Sequence, residues 1–156
     1  MAETIRDLLA SHAADAPAIL APDRPPLSFG ALRELADATV ATLAGLGIGR
    51  NDRVGIVLPN GPEMATAFIT IACGATTAPL NPAYRADELD FYLTDLRAKA
   101  LVVQAGTDGP AVEAARRHGT AILRLHTSPD RPAGWFELRP EDGAAAAEPR
   151  PAEPAQ

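Results

Sequence analysis

Apolar and polar positions alternate between two periods along most of this chain. Helical spacing comes first, with Ile5, Leu8 and Leu9 on one stripe of a predicted helix over 4–14. Thr4 is placed to cap it, with Asp7 at the capping-box position, and Pro17 ends the segment. Ala18-Ile19-Leu20 reads as a short strand, and Asp23-Arg24-Pro25-Pro26 as a turn. Ser28 then opens a longer helix, on which Leu32, Leu35, Ala36, Val40, Leu43 and Leu46 recur on one face. Gly45, Gly47 and Gly49 break it.

From residue 53 onward, short apolar runs alternate with helical stretches. Strands are predicted over 53–58, 76–80, 100–103 and 121–125, with helices over 60–74, 86–96 and 110–118. Leu89, Tyr92, Leu93 and Leu96 share one face of the second of these helices. Strand–helix–strand repeats with short links imply right-handed crossovers. The predicted fold class is therefore α/β, a mainly parallel sheet with covering helices. The near-continuous apolar character of the strands fits a sheet covered on both faces. Within 53–58, Val54, Ile56 and Leu58 point to one side, Gly55 and Val57 to the other. The segment 135–138 suggests one more short strand.

Beyond residue 140 the pattern stops. That stretch holds no aromatic residue and no Leu, Ile, Val or Met, so it offers too little apolar surface to offset chain entropy. The expected organisation is an α/β unit over 1–139 and a disordered Pro/Ala/Glu tail or linker over 140–156.

Composition narrows the functional classes. Aromatic residues are only 4% of the chain against 47% hydrophobic, so the core must be built from Ala, Leu, Val and Ile. A net charge of −6 argues against a nucleic-acid surface. Cys73 is the one cysteine, which excludes an intrachain disulfide and a thiol metal cluster. The N-terminus lacks a signal-peptide pattern, and no apolar run approaches the roughly 20 residues of a membrane span. A cytoplasmic location is expected.

Several residues invite chemistry and answer to simpler roles. Gly45-Leu46-Gly47-Ile48-Gly49 is glycine-rich, but it follows a helix and precedes a strand, the reverse of a phosphate-binding fingerprint. A helix C-cap with a left-handed Gly47 is expected instead. Leu58-Pro59-Asn60-Gly61-Pro62-Glu63 has the right order for an anion at a helix start. It reads as a capped start, with Asn60 as N-cap and Glu63 at the capping-box position. His12, His118 and His126 have no second ligand at metal-binding spacing. Cys73 sits in an apolar helix and reads as core. Asp87 and Glu88 suit the first turn of a helix better than a catalytic carboxylate pair. These residues specify an α/β domain and no reaction.

The same segments resemble a family. Leu27-Ser28-Phe29-Gly30-Ala31-Leu32 is similar to the first core motif of the AMP-forming acyl-CoA synthetases, the adenylate-forming ligases. Asn51-Asp52-Arg53-Val54-Gly55-Ile56 resembles their G-D-R-V-A-I strand, and Leu58-Pro59-Asn60 with Glu63 their L-P-N-x-x-E. Cys73-Gly74-Ala75 with Ala78-Pro79-Leu80-Asn81-Pro82 resembles K-A-G-A-x-x-x-P-L-N-P. Tyr84-Arg85, Glu88-Leu89 and Leu93-Thr94-Asp95 then follow in register. The runs 75–84 and 90–95 look most like the oxalyl-CoA synthetase branch. Gly30, Ala31 and Cys73 depart from the common residues at their positions.

The resemblance implies an N-terminal subdomain of the adenylate-forming fold. In a complete enzyme it implies ligation of a carboxylate to coenzyme A through an acyl-adenylate, with ATP, Mg2+ and CoA as cofactors. The expected phosphate loop (T-S-G-T-T-G-x-P-K), ribose ligand and C-terminal lysine belong to parts of the family that this sequence does not match. The resemblance therefore assigns no catalytic residue, no cofactor-binding residue and no metal ligand here, and no cofactor is expected on this chain alone. The expectation is a truncated portion, inactive by itself, whose partner is the missing C-terminal part. Self-association through an exposed apolar face is a second expectation for its partner. The alternatives are an interaction module, one half of a split synthetase, or a relic. The reading frame after codon 156 discriminates among these.

Overall fold

The structure, a computed structural model, describes residues 4–141. Its elements are α1 (Ile5–Ala10), β1 (Pro17–Ile19), β2 (Leu27–Ser28), α2 (Phe29–Gly45), β3 (Arg53–Val57), α3 (Pro62–Ala72), β4 (Thr76–Pro79), α4 (Ala86–Leu96), β5 (Ala100–Gln104), α5 (Pro110–Arg117), β6 (Ala121–His126) and β7 (Glu137–Pro140). The main sheet has the order β4-β3-β5-β6-β7. The first four of these strands run parallel, and β7 is antiparallel to β6. β1 and β2 form a separate antiparallel pair. The expected α/β class with a mainly parallel sheet is what the chain adopts.

The sheet is covered on both faces. Val54, Ile56 and Leu58 pack with α2, α3, Val102, Leu123 and Leu125 in one core. Leu101, Val103 and Ile122 pack with α4 and α5 in the other. Gly55 faces the second layer, where an added Cβ would lie 3.1 Å from Leu101. The alternation read from the β3 sequence is thus the alternation of the two cores.

Helix ends explain most of the boundaries. Thr4 and Asp7 close the expected capping box on α1, but the helix stops at Ala10 rather than running to residue 14. Ser11 turns its hydroxyl onto Leu8 O at 2.7 Å, and Arg33 of α2 takes the Leu9 and His12 carbonyls. The next residues are drawn onto the start of α2, where Gly30 N donates to Ala14 O at 2.8 Å. α2 ends as the glycine run predicts. Gly47 has φ 70°, its N–H reaches Ala44 O, and Ile48 N reaches Leu43 O, the paired bonds of a Schellman cap.

Asn60 is not the cap of α3. Gly61 holds that position with no side-chain cap bond, and Glu63 turns away from the backbone to pair with Arg24. The last strand also begins later than the expected 135–138. Trp135 N bonds Pro132 O in a turn, with the Arg131 guanidinium 4.1 Å over its ring, so pairing starts at Glu137. It continues through Pro140, and Glu141 N donates to Ile122 O at 2.9 Å, two residues past the expected boundary at 139. The remainder of the expected tail, 142–156, lies outside the described residues.

Both free edges of the sheet end in proline. Thr76 and Leu80 donate to Asp52 and Ile56, so Thr77 and Pro79 turn their backbones outward. Glu141 donates to β6, so Leu138 and Pro140 turn outward on β7. Proline has no N–H to offer there, which blunts strand addition at each edge.

Candidate functional site

The crossover after β3 passes over one face of the sheet through α3, and the crossover after β5 passes over the other through α5. The loops leaving β3 and β5 therefore part, and they open a crevice at the carboxyl ends of the strands. Open α/β sheets place their ligands at such a point. Two cavities lie there. One of about 250 Å3 is lined by Arg24, Asn60, Glu63, Gln104 and Thr127 among others. The other, about 210 Å3, is lined by Val57, Pro82, Tyr84, Asp108 and Val112 among others. Pro59 and Gln104 border both.

Arg24 organises the first cavity. Its guanidinium pairs with Glu63 and donates to Pro132 O at 2.9 Å and Arg131 O at 3.2 Å. It ties the turn after β1 to the loop after β6 and to the start of α3. Both partners of the ion pair are about one-fifth exposed, so their charges are partly withdrawn from water. Thr66 Oγ1 donates to Gly134 O at 2.6 Å and holds the same loop from α3. Helices α3 and α5 begin at Gly61-Pro62 and Gly109-Pro110, each without a side-chain cap. Their positive dipole ends thus face the loops of the crevice.

The residues singled out from sequence fall elsewhere. The glycine run 45–49 turns the chain at the opposite, amino-terminal end of the sheet. His12 stacks on Phe29 at 4.1 Å, and His118 Nε2 lies 3.0 Å from Asp90 Oδ1. His126 ends β6. Cys73 is buried, its thiol 3.3 Å from Ile69 O, and burial pushes its pKa up, which leaves it a poor nucleophile. Glu88 accepts the Arg85 N–H at 2.9 Å as a helix-start acid, and Asp87 lies 3.4 Å from Arg85. Of the candidates, the structure brings only the segment Leu58-Pro59-Asn60-Gly61-Pro62-Glu63 to the crevice. Sequence alone does not single out Arg24, Gln104 or Thr127. Gln104 carries a faint signal as the first polar residue after an apolar strand, but Arg24 sits in an ordinary turn.

Among the described residues no three His, Cys, Asp or Glu side chains gather as a metal site. Lys99, the only lysine in the sequence, starts the turn into β5 at the far end of the sheet. Arg24 is already engaged by Glu63 and by carbonyls. What the described residues offer is a loop-built crevice whose first cavity mixes polar and apolar side chains and whose second is mainly apolar.

Comparison with known proteins supplies the family. The model of the AMP-binding enzyme family matches residues 7–156. A probable CoA ligase, CCL9, of Humulus lupulus is 34% identical over 152 residues, covering 95% of this chain and 27% of that protein. An oxalate–CoA ligase of Arabidopsis thaliana is 37% identical over 103 residues, covering 62% of this chain and 20% of its own length. The chain thus spans about a quarter of the length of these relatives. Among solved structures, apo MatB from Rhodopseudomonas palustris superimposes with TM-score 0.70 at 23% identity, covering 86% of this chain and 27% of that one, a likeness of fold. No described helix is long and apolar enough to cross a membrane. Matched along nearly all of its length by the family model, the chain belongs to the AMP-binding enzyme family.

Proposed function

We propose that this chain is the N-terminal portion of an ATP-dependent acid–thiol ligase and is inactive by itself. The complete enzyme would join a carboxylate to coenzyme A with release of AMP and pyrophosphate, using ATP and Mg2+, in the cytoplasm. The carrying observation is the family match over 7–156, together with a chain that spans about a quarter of its ligase relatives. The composition of the crevice supports the second half of the proposal. Phosphoryl and acyl transfer need positioned donors and neutralised charge, and among the described residues the crevice's Arg24 is already engaged by Glu63 and by backbone carbonyls. Likeness to two oxalate–CoA ligases favours a small dicarboxylate as the acid. One feature favours a second reading, half of a split synthetase: α3 leaves the apolar Ala65 and Phe68 exposed on its outer side.

A chimera tests the proposal. This chain replaces the matched N-terminal portion of the probable CoA ligase of Humulus lupulus, and pyrophosphate release is followed with ATP, CoA and a panel of acids including oxalate. Acid-dependent release is expected. A folded chimera that releases none overturns the ligase reading.

A further inference from the structure

A groove of about 560 Å3 lies between α2 and the segment that leads into β7. It shares no lining residue with the two cavities of the crevice. Ala31, Leu35 and Ala38 line it from α2, and Trp135 and Leu138 line it from the other side. Trp135 is half-buried and is the one tryptophan of the chain. The Arg131 guanidinium lies 4.1 Å over its ring. Glu34 stands exposed on the α2 side. Among the described residues no ion pair holds Glu34 or Arg131, whereas Glu137 at the rim is taken by Arg139 at 2.7 Å. The groove thus joins an aromatic ring, an apolar lining and two unpaired charges of opposite sign. From Ala31 to Thr42 its α2 wall runs about 17 Å, at about 1.5 Å per residue. Aromatic-lined grooves of this kind take proline-rich segments in the polyproline II form.

We infer that this groove is the docking site for the chain's own segment Glu148-Pro149-Arg150-Pro151-Ala152-Glu153-Pro154, bound in the polyproline II form. The inference does not depend on the ligase reading. The occupant is argued from where β7 delivers the chain. Glu141 N bonds Ile122 O, one step past the pairing of Pro140 with Leu123. Asp142-Gly143 follows, a turn signal. Return along the strand to Glu137 covers about 13 Å, and residues 142–147 span up to about 20 Å when extended. The returning segment does not extend the sheet, because Pro140 presents no N–H outward and Pro149 and Pro151 have none to give. Residues 149–154 in the polyproline II form run about 19 Å at about 3.1 Å per residue, close to the length of the α2 wall. Charge sets the register. Arg150 meets Glu34, and Glu153, one polyproline turn further on, meets Arg131. Proline rings pack on Trp135, and their fixed φ lowers the entropy lost on ordering.

Acrylamide quenching of Trp135 fluorescence in the full chain reads the groove directly, since no other tryptophan contributes. A short tether gives an effective concentration of about 1 mM, so a peptide Kd of about 0.1 mM leaves roughly nine-tenths of the chains docked. The chains compared are wild type, Arg150→Glu, Glu34→Lys, the double variant Glu34→Lys with Arg150→Glu, and a chain with Pro149, Pro151 and Pro154 all changed to Gly. Glu113→Arg, exposed on α5 away from the groove, serves as the control. Thermal melts verify that each folds. Wild type and control are expected to shield Trp135. The quenching constant is expected to rise roughly twofold in the proline-free chain and in each single charge variant at the groove, and to return to the wild-type value in the double variant. Wild-type quenching in both the proline-free and Arg150→Glu chains overturns the inference. A double variant no better shielded than Arg150→Glu overturns the placement of Arg150 on Glu34. Shielding that disappears on dilution also overturns the inference, since the occupant is then a second copy.

Discussion

Ile56 lies at the middle of β3 with none of its side chain open to solvent, inside the core shared with α2 and α3. Ile56→Ala removes buried methylene and methyl groups and leaves a cavity, at an expected cost of about 2–5 kcal/mol by urea unfolding. Ile56→Asp buries a carboxylate without a partner and is expected to abolish the cooperative melt. A native-like melt for that variant would refute the burial of β3. Gly134 tests a different constraint. Its φ is 78°, and an added Cβ would stand 2.6 Å from the Thr66 side chain and 2.9 Å from Pro62 O. Gly134→Ala must therefore push the loop after β6 off the start of α3. Arg24→Ala releases the same loop by leaving Glu63 and its carbonyls without their donor, at an expected cost of roughly 1.5–3 kcal/mol. Equal stability of Arg24→Ala and wild type would show that the crevice loops do not depend on that guanidinium.

At the scale of elements, charge pairs fasten the outer layer. Asp90 of α4 accepts from Arg117 at 2.8 Å and lies 3.0 Å from His118, both at the end of α5. Glu141 accepts from Arg124 of β6 and Arg116 of α5, each at 2.8 Å. The Arg117 hydrogen bond holds the Asp90 carboxyl below its ordinary value, and the Arg124 hydrogen bond does the same for Glu141. A carboxylate whose folded pKa is depressed stabilises the fold above its unfolded pKa and stops doing so as pH falls through the folded one. Melting temperature is therefore expected to drop on acidification below the ordinary carboxylate values of about 4. Asp90→Asn and Glu141→Gln should each flatten that drop, and unchanged pH profiles would discount these pairs. The elements themselves were largely legible in the sequence. The apolar runs of β3 and β5 and the helical stripe of α2 survive tertiary packing because packing is what they encode. The start of α3 was not legible. Glu63 looked like a capping acid, and only the arrival of Arg24, distant in sequence, draws it away. The first turn of β7 failed for a similar reason, since the Arg131–Trp135 stack keeps Trp135 out of the strand.

Taken whole, the molecule is a scaffold with an open crevice at its strand ends and an uncharged helix face beside it. The crevice was not foreseen, because it depends on the order β4-β3-β5, and strand order is not written in any one segment. The family was foreseen, because its motifs are the strand ends and helix starts that build this sheet, and the family match bears that out. Some of these motif residues pack the cores: Gly74 lies against Val40, and Leu80 closes the second core. Membership of a ligase family and ligase activity in this chain are therefore separate properties. Pyrophosphate release by the purified chain tests that separation directly, with ATP, CoA and oxalate, acetate or longer acids. No release above a heat-treated control is expected. Acid-dependent turnover that survives repurification would contradict the account, because a crevice whose described residues gather no metal site would then be performing the reaction.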